Sequence, residues 1–445
     1  MTQLPKLSPG RTRDIVYQIA RQCDVAPDMI EDAYPCTPYQ ADLFKAGTPG
    51  AGVLHYNFVF RLQNNTPGMI DRICKAFESV HRRNPVLCSR IVQYQYPDPD
   101  RPCIAQALVK NDFEWLEFGD LDQYCHERTG HRLRYGEQLV HYGISKDRKY
   151  LVWTLHHAIY DGWSITLLWK ELCDTMSAER DQLALTQRPK YVKFITQLQT
   201  PTSEVSRRFW FEHLADYTGP RFRQRRLSPE TDACRNGSLS LVDLRENSIN
   251  VTARIQAAWF CTLVELYGNL DVMTLIVATG RNSEVEGVAD MSGSCMCIVP
   301  FRQRVKLLAP LHQFMLDLEK RSGELLAHEH AGMESLQSLV GEARQPIHTF
   351  NIKSGLEGNF ADFSGLDYQP TRGLKEERDW LVAISIGEET LRWDLHFDSN
   401  RLDQAAVKLI CERFPKLLQT CLTLKSHDRV ALEDVIDVRR LSYNL

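Results

Sequence analysis

The run Tyr150–His157 (YLVWTLHH) constrains the architecture more than any other stretch of the chain. Its aromatic and β-branched residues read as a strand that stops on two adjacent histidines. Ala158–Gly162 (AIYDG) follows as a short loop. Ser164–Met176 then reads as a helix, with Ile165, Leu168, Trp169 and Leu172 on one face and Ser164 as its N-cap. Strand and helix patterns alternate elsewhere too. His55–Leu62 and Val86–Val92 read as strands, and Ile70–Val80 carries apolar residues at helical spacing. Strands alternating with helices predict an α/β or α+β architecture.

The rest of the chain fits that class. Ile15, Ile19 and Ala20 predict an N-terminal helix. The prolines of Tyr34–Gln40 (YPCTPYQ) forbid a helix there, and Thr37 can cap one that Pro38 opens. Further helices are expected at about 191–214, 251–268, 311–327 and 404–417. Strands are expected at 272–279 and 393–397, with a Gly-rich loop at 280–293. The polar stretch 176–189 (MSAERDQLALTQRP) predicts a joint between an N-terminal part, 1–181, and a C-terminal part, 182–445. With 445 residues, two to four domain-sized units are allowed.

Charge and cysteine content narrow the partners. Lys and Arg number 53 against 57 Asp and Glu, a net charge of −4. That balance lacks the basic footprint of nucleic-acid or anionic-membrane binding. The thirteen cysteines are odd in number and scattered, and several sit in apolar runs. They predict reduced thiols and a cytoplasmic location. Cys295 and Cys297 form a C-x-C without the second pair that zinc would need. The first residues, MTQLPKLSPGRTRD, lack the apolar core of a secretory signal, and no apolar run approaches a membrane span.

The chemistry concentrates in His156-His157-Ala158-Ile159-Tyr160-Asp161-Gly162. Side chains alternate along a strand, so one histidine faces the core and the other a cleft. The return brings Asp161 back toward the pair, and Gly162 permits close approach of a ligand. A free imidazole, with a pKa near 6.5, suits proton transfer at neutral pH. Adjacent histidines on opposite faces cannot easily share one ion, so no metal site is expected there.

This string resembles the HHxxxDG core motif of the condensation domains of nonribosomal peptide synthetases. The resemblance extends in order along the chain. Tyr34–Gln40 is similar to the opening motif in its fungal form. His81–Val92 (HRRNPVLCSRIV) resembles the second, with Cys88 where an Arg is usual. Lys190–Ile195 resembles the fourth. Gly280-Arg281, Gly287, Met291, Gly293 and Pro300-Phe301-Arg302 resemble the fifth, and His396–Phe414 the last. It implies two chloramphenicol-acetyltransferase-like lobes in a V-shaped pseudo-dimer with a tunnel between them. It implies that His157 is the catalytic residue, positioning or deprotonating an amine that attacks a thioester. His156, Asp161 and Arg281 would support the site, Asp161 by pairing with Arg281. Gly162, Trp163 and Ser294 would meet the substrate or its phosphopantetheine arm. No cofactor would be bound by the domain itself; an upstream carrier domain would deliver the substrate.

Related types are separable by motif. Plant-type acyltransferases carry HxxxD with a DFGWG motif, which is missing here. Epimerization domains need a further acidic group and a different fifth motif. Partner-recruiting condensation-like domains usually lose the histidine pair, which is kept here. Two acceptor modes remain. One is elongation with an aminoacyl thioester on a downstream carrier. The other, slightly preferred because only a short tail follows Leu417, is release by intramolecular macrocyclisation.

Overall fold

The computed structural model describes residues 9–46, 54–63, 66–95, 103–110, 113–131, 133–177, 187–198, 204–220, 232–241, 249–282, 284–341, 346, 348–354, 366–369, 380–425 and 428–443. Among the described residues, seven strands precede residue 160: β1 (Ile30–Pro35), β2 (His55–Leu62), β3 (Ser89–Tyr94), β4 (Cys103–Val109), β5 (Trp115–Phe118), β6 (Val140–Ser145) and β7 (Tyr150–His156). Seven follow: β8 (Ala233–Ser240), β9 (Asp271–Ala278), β10 (Cys297–Arg304), β11 (His348–Ser354), β12 (Leu366–Gln369), β13 (Trp380–Ile386) and β14 (Thr390–Phe397). The helices used below are α1 (Pro9–Gln22), α2 (Pro38–Ala46), α3 (Pro67–Arg83), α4 (Leu121–Gly130), α5 (Gly162–Ser177), α6 (Val192–Leu198), α7 (Glu204–Leu214), α8 (Val251–Tyr267), α9 (Leu311–Leu326), α10 (Gly332–Val340) and α11 (Gln404–Thr423). The architecture is mixed α and β. Among the described residues no helix is long and apolar enough to cross a membrane.

The chain divides into two compact units, and neither is continuous in sequence. The first holds Met1–Pro201, Ser283–Cys295 and Leu356–Lys375. The second holds Thr202–Asn282, Met296–Gly355 and Glu376–Leu445. A single division after residue 181 therefore does not describe the packing. The reason is local: β12 joins β2 as an antiparallel neighbour, and 283–295 packs among first-unit residues. Most of the joint expected at 176–189 lies outside the described residues.

In the first unit, a sheet ordered β12-β2-β7-β6-β5 puts β7 at its centre. From Leu151 to His156 every side chain is buried. One face carries Trp153 against Phe77 of α3 (5.5 Å between ring centroids), while Phe60 of β2 stacks on Trp169 of α5 (5.0 Å). The other face carries Val152 with Phe118 and Tyr124 of α4. Burying each of Leu151, Val152 and Leu155 stabilises by roughly 1.5–3 kcal/mol. A strand covered on both faces has little freedom to slip, so its last residue is placed firmly. A separate sheet, β1-β4-β3, packs under α1.

The second unit is built on the sheet β10-β9-β11-β13-β14-β8. Trp259 of α8 stacks on Phe350 of β11 (4.9 Å) and meets Trp380 of β13 and Phe414 of α11 edge-on. Gly268 ends α8 in the left-handed conformation that favours glycine (φ 61°). Helix α11 runs to Thr423 rather than stopping near Leu417. It passes through Pro415, because Leu417, Leu418, Cys421 and Leu422 continue its buried face. The region expected as one helix at 191–214 is two, α6 and α7, separated by residues outside the described set.

Candidate functional site

The site grows from the end of β7. Leu139 O accepts from His156 N–H (2.9 Å), and Leu54 O accepts from His157 N–H (2.9 Å). The ladder thus holds both histidine backbones. At His157 the strand gives way to one 3-10 turn, His157–Ile159. The turn is gripped from outside. Gln40 Nε2, on α2, donates to Ala158 O (2.8 Å) and to Gln106 Oε1 (3.0 Å). Gln106 in turn donates to the Tyr34 hydroxyl and to Ser89 Oγ. Gln40 also closes a capping box with Thr37: Thr37 Oγ1 accepts from Gln40 N–H, and Gln40 Oε1 from Thr37 N–H, both at 3.0 Å. Tyr34–Gln40 therefore shapes the histidine turn directly.

The two histidines are held as opposite tautomers. His157 Nδ1 lies 2.8 Å from Tyr160 O. A carbonyl only accepts, so Nδ1 carries the proton and Nε2 keeps a free lone pair. Its ring stacks on Tyr160 (4.9 Å) and takes the edge of Tyr56 (5.4 Å), and the residue is half-buried. His156 Nδ1 instead accepts from Ala158 N–H (3.2 Å), which leaves its proton on Nε2. His156 is fully buried between Phe44 and His55. Burial, then the neighbouring His157, pulls its pKa down to about 3, so it is neutral in the working pH range.

Asp161 is a capping residue as well as a motif residue. Helix α5 begins at Gly162, two residues earlier than expected, and Asp161 caps it. Asp161 Oδ1 accepts from Ser164 N–H (2.7 Å), and Ser164 Oγ accepts from Asp161 N–H (2.9 Å). Ser164 is thus the partner inside the helix rather than the N-cap. The second carboxylate oxygen, Oδ2, accepts from Cys295 N–H (2.8 Å).

That bond draws in the segment 283–295, whose role motif reading located without explaining. Trp163 Nε1 donates to Ala289 O (2.8 Å), Ser292 Oγ to Asn84 Oδ1 (3.0 Å) and the Tyr191 hydroxyl to Ser294 O (2.6 Å). Gly293 adopts φ +137°, and a Cβ there would lie 2.4 Å from the Tyr191 ring. Asn84 Nδ2 also reaches Glu171 on α5 (3.1 Å), whose carboxylate takes Arg83 Nε and Arg188 Nε at 2.8 Å each. Sequence reasoning missed this buried acid between two arginines. Its one visible signal is Arg83-Asn84 inside HRRNP.

The remaining candidates are placed as follows. Gly162 and Trp163 are half-buried at the start of α5. Ser294 is buried, and its Oγ has no hydrogen-bond partner among the described residues. Cys88 Sγ lies 3.2 Å from His81 Nε2, and His81 Nδ1 lies 2.9 Å from the Tyr142 hydroxyl. Arg281 belongs to the second unit, just past β9, where its N–H donates to Thr279 Oγ1 (3.3 Å). There Glu329 and His330 hold the flanking residues Asn282 and Gly280.

Comparison with known proteins places this geometry. The model of the condensation domain matches residues 30–435. The nonribosomal peptide synthetase ecdA of Aspergillus rugulosus is 28% identical over 423 residues, covering 90% of this chain and 6% of that protein. The nonribosomal peptide synthetase cm3A of Cordyceps militaris is 28% identical over 418 residues, covering 91% and 8%. The chain thus spans less than a tenth of the length of these relatives. Among solved structures, the starter condensation domain of rhizomide synthetase superposes with a TM-score of 0.71 at 15% identity, covering 91% of this chain and 97% of that one. The likeness lies in the fold, a mixed α/β architecture of two lobes.

Proposed function

The chain belongs to the condensation domain family, and from that premise we propose that it forms an amide bond between an amine and a peptidyl thioester carried by an upstream carrier domain. The observation that supports this most is the tautomer of His157. With Nδ1–H committed to Tyr160 O, Nε2 is the nitrogen left to take a proton. As the amine nitrogen bonds to the thioester carbonyl carbon, its proton passes to Nε2. The C–S bond then breaks, and the departing phosphopantetheine thiolate recovers a proton from the imidazolium. A general base of this kind contributes typically 10²–10⁴-fold.

The other residues support that step. His156, neutral and buried, packs under the turn and cannot compete for the proton. Asp161 fixes the start of α5. Gly162 has no side chain at the half-exposed mouth of that helix, which leaves room for the phosphopantetheine arm. Trp163 lines the same mouth. Ser294, with its unsatisfied hydroxyl, is assigned to the substrate arm, and Arg281 to support of the reaction. All thirteen cysteines are free thiols, which supports work in a reducing compartment such as the cytoplasm.

The proposed acceptor is an amine of the same peptide, so that the product is a released macrocycle; elongation onto a downstream aminoacyl carrier is the competing form. Mass spectrometry of the product from a loaded upstream carrier, with and without a loaded downstream one, separates them. A cyclic product without the second carrier supports cyclisation, and product only with it supports elongation. His157→Ala should abolish either product while leaving the fold unchanged. Undiminished turnover by that variant would remove His157 from the chemistry.

A further inference from the structure

A cluster of metal-ligating side chains lies in the second unit, on residues that the proposed reaction does not use. Strand β8 pairs antiparallel with β14, and the register sets Cys234 opposite His396 and Asn236 opposite Asp394. Residues two apart on a strand share a face, so Asp394 and His396 lie on one face and Cys234 joins them from across the ladder. The opposite face of β14 carries Trp393, which packs on Phe414 of α11. The three ligands therefore occupy the face turned away from the aromatic core. Cys234 is exposed, and Asp394 and His396 are half-buried. Their ligand atoms lie within 4.8 Å of one another, and no other such cluster occurs among the described residues.

We propose that Cys234, Asp394 and His396 bind one zinc ion, with water as the fourth ligand. The donor set selects the metal class. A thiolate and an imidazole exclude magnesium and calcium, which take oxygen ligands, and suit a borderline cation such as Zn²⁺. Three protein ligands with an open fourth position is a recurring tetrahedral zinc arrangement. Bond lengths of about 2.0–2.3 Å need ligand atoms somewhat closer than 4.8 Å, a closure that side-chain rotation on fixed strands supplies.

The Asp394 carboxylate stands beside the Cys234 thiol and the His396 imidazole, so three cation-binding groups share one patch. Arg235 sets its guanidinium 5.9 Å over the Phe397 ring, where it donates to Cys234 O (2.9 Å). The frame is also fixed in advance. Asp232 accepts from Ser399 N–H (2.7 Å) and from its hydroxyl (2.6 Å), which pins the strand ends next to the cluster. Strand β8 is the edge of its sheet. A metal bridging it to β14 would clamp an edge otherwise held by one ladder.

Neither the His156-His157 pair nor the Cys295/Cys297 C-x-C takes part in this cluster. The cluster forms because the pairing register sets Cys234 opposite His396, 162 positions away in sequence.

The test uses the whole chain, stripped of metal by chelation and titrated with Zn²⁺ and with Co²⁺. The expected result is one equivalent of metal, with a cobalt spectrum showing tetrahedral d–d bands and a thiolate charge-transfer band. Cys234→Ser should abolish the thiolate band. His396→Ala and Asp394→Asn should each weaken binding more than about tenfold. Zinc should also slow amide exchange at residues 233–240 in the wild type and leave Cys234→Ser unchanged. Metal binding that is equal in wild type and all three variants would assign it to other cysteines and overturn the proposal. So would no binding at all.

Discussion

Replacing Glu329 with glutamine should stabilise the second unit at alkaline pH and leave it nearly unchanged at acid pH. Glu329 is 2% exposed in the turn after α9. Its Oε1 accepts from Asn282 N–H (3.3 Å) and its Oε2 from Asn282 Nδ2 (3.4 Å). Burial raises its pKa from 4.5 to about 7, against the opposing pull of hydrogen bonds from Asn282 and Gly280. His330 Nε2 stands 3.7 Å from the carboxylate, and burial lowers that imidazole's pKa. Below pH 4.5 Glu329 is protonated in folded and unfolded chains alike. Between 4.5 and about 7 the folded state keeps a proton that the unfolded state releases, so stability falls as pH rises through that window. Above it the cost is complete, about 1.36 kcal/mol for each of some 2.5 pKa units, or about 3 kcal/mol. Glutamine carries no charge at any pH and so escapes it. Calorimetry of both proteins at pH 4.5 and pH 8 measures the difference. The variant's Tm advantage should grow by roughly 6–12 °C between the two, given 2–4 °C per kcal/mol for a unit of this size. An advantage that is the same at both pH values would refute the reasoning.

Two further substitutions test the frame of the histidine loop. Asp161→Ala removes both carboxylate acceptors; it strands the buried N–H of Ser164 and leaves that of Cys295 with Gly293 O alone (3.1 Å). The expected cost is about 2–5 kcal/mol, read from denaturant unfolding, with faster amide exchange at both positions. Gly293→Ala forces a side chain into the Tyr191 ring at a φ that suits glycine, and should cost more than about 1–3 kcal/mol. A variant of wild-type stability would show that the segment around 293 is not clamped.

Much of the fold was legible where periodicity and punctuation agree. Tyr150–His156, Val251–Tyr267 and Asp271–Ala278 lie within a residue of their expected limits, because each is a dense apolar run with a clear stop. Edge and exposed strands were not legible. Ala233–Ser240 (ACRNGSLS) carries almost no apolar alternation and is a strand because β14 offers it a partner. Pairing is a non-local fact that short-range pattern does not record. Val86–Cys88 looked like the start of a strand because its residues are apolar, but Pro85 opens a 3-10 turn there and β3 starts at Ser89. Helix α11 extends six residues past its expected end at Leu417, because Leu418, Cys421 and Leu422 continue its buried face.

The candidate site divides in the same way. Its side chains were readable as a string, but most of what fixes them is backbone. Gln40 grips Ala158 O, Tyr160 O sets the tautomer of His157, and Asp161 holds the N–H groups of Ser164 and Cys295. A backbone partner leaves no mark on composition, since any residue supplies it. This explains an asymmetry in the motif. At 295 the side chain is free to be a cysteine, because its N–H does the work. At 161 the residue must be short, and it must present two acceptor oxygens at once. Asparagine would offer one oxygen and set an NH₂ against the second N–H. The aspartate of the HHxxxDG string thus joins two segments 134 residues apart in sequence through two fixed N–H groups, and His157 inherits its position from that junction.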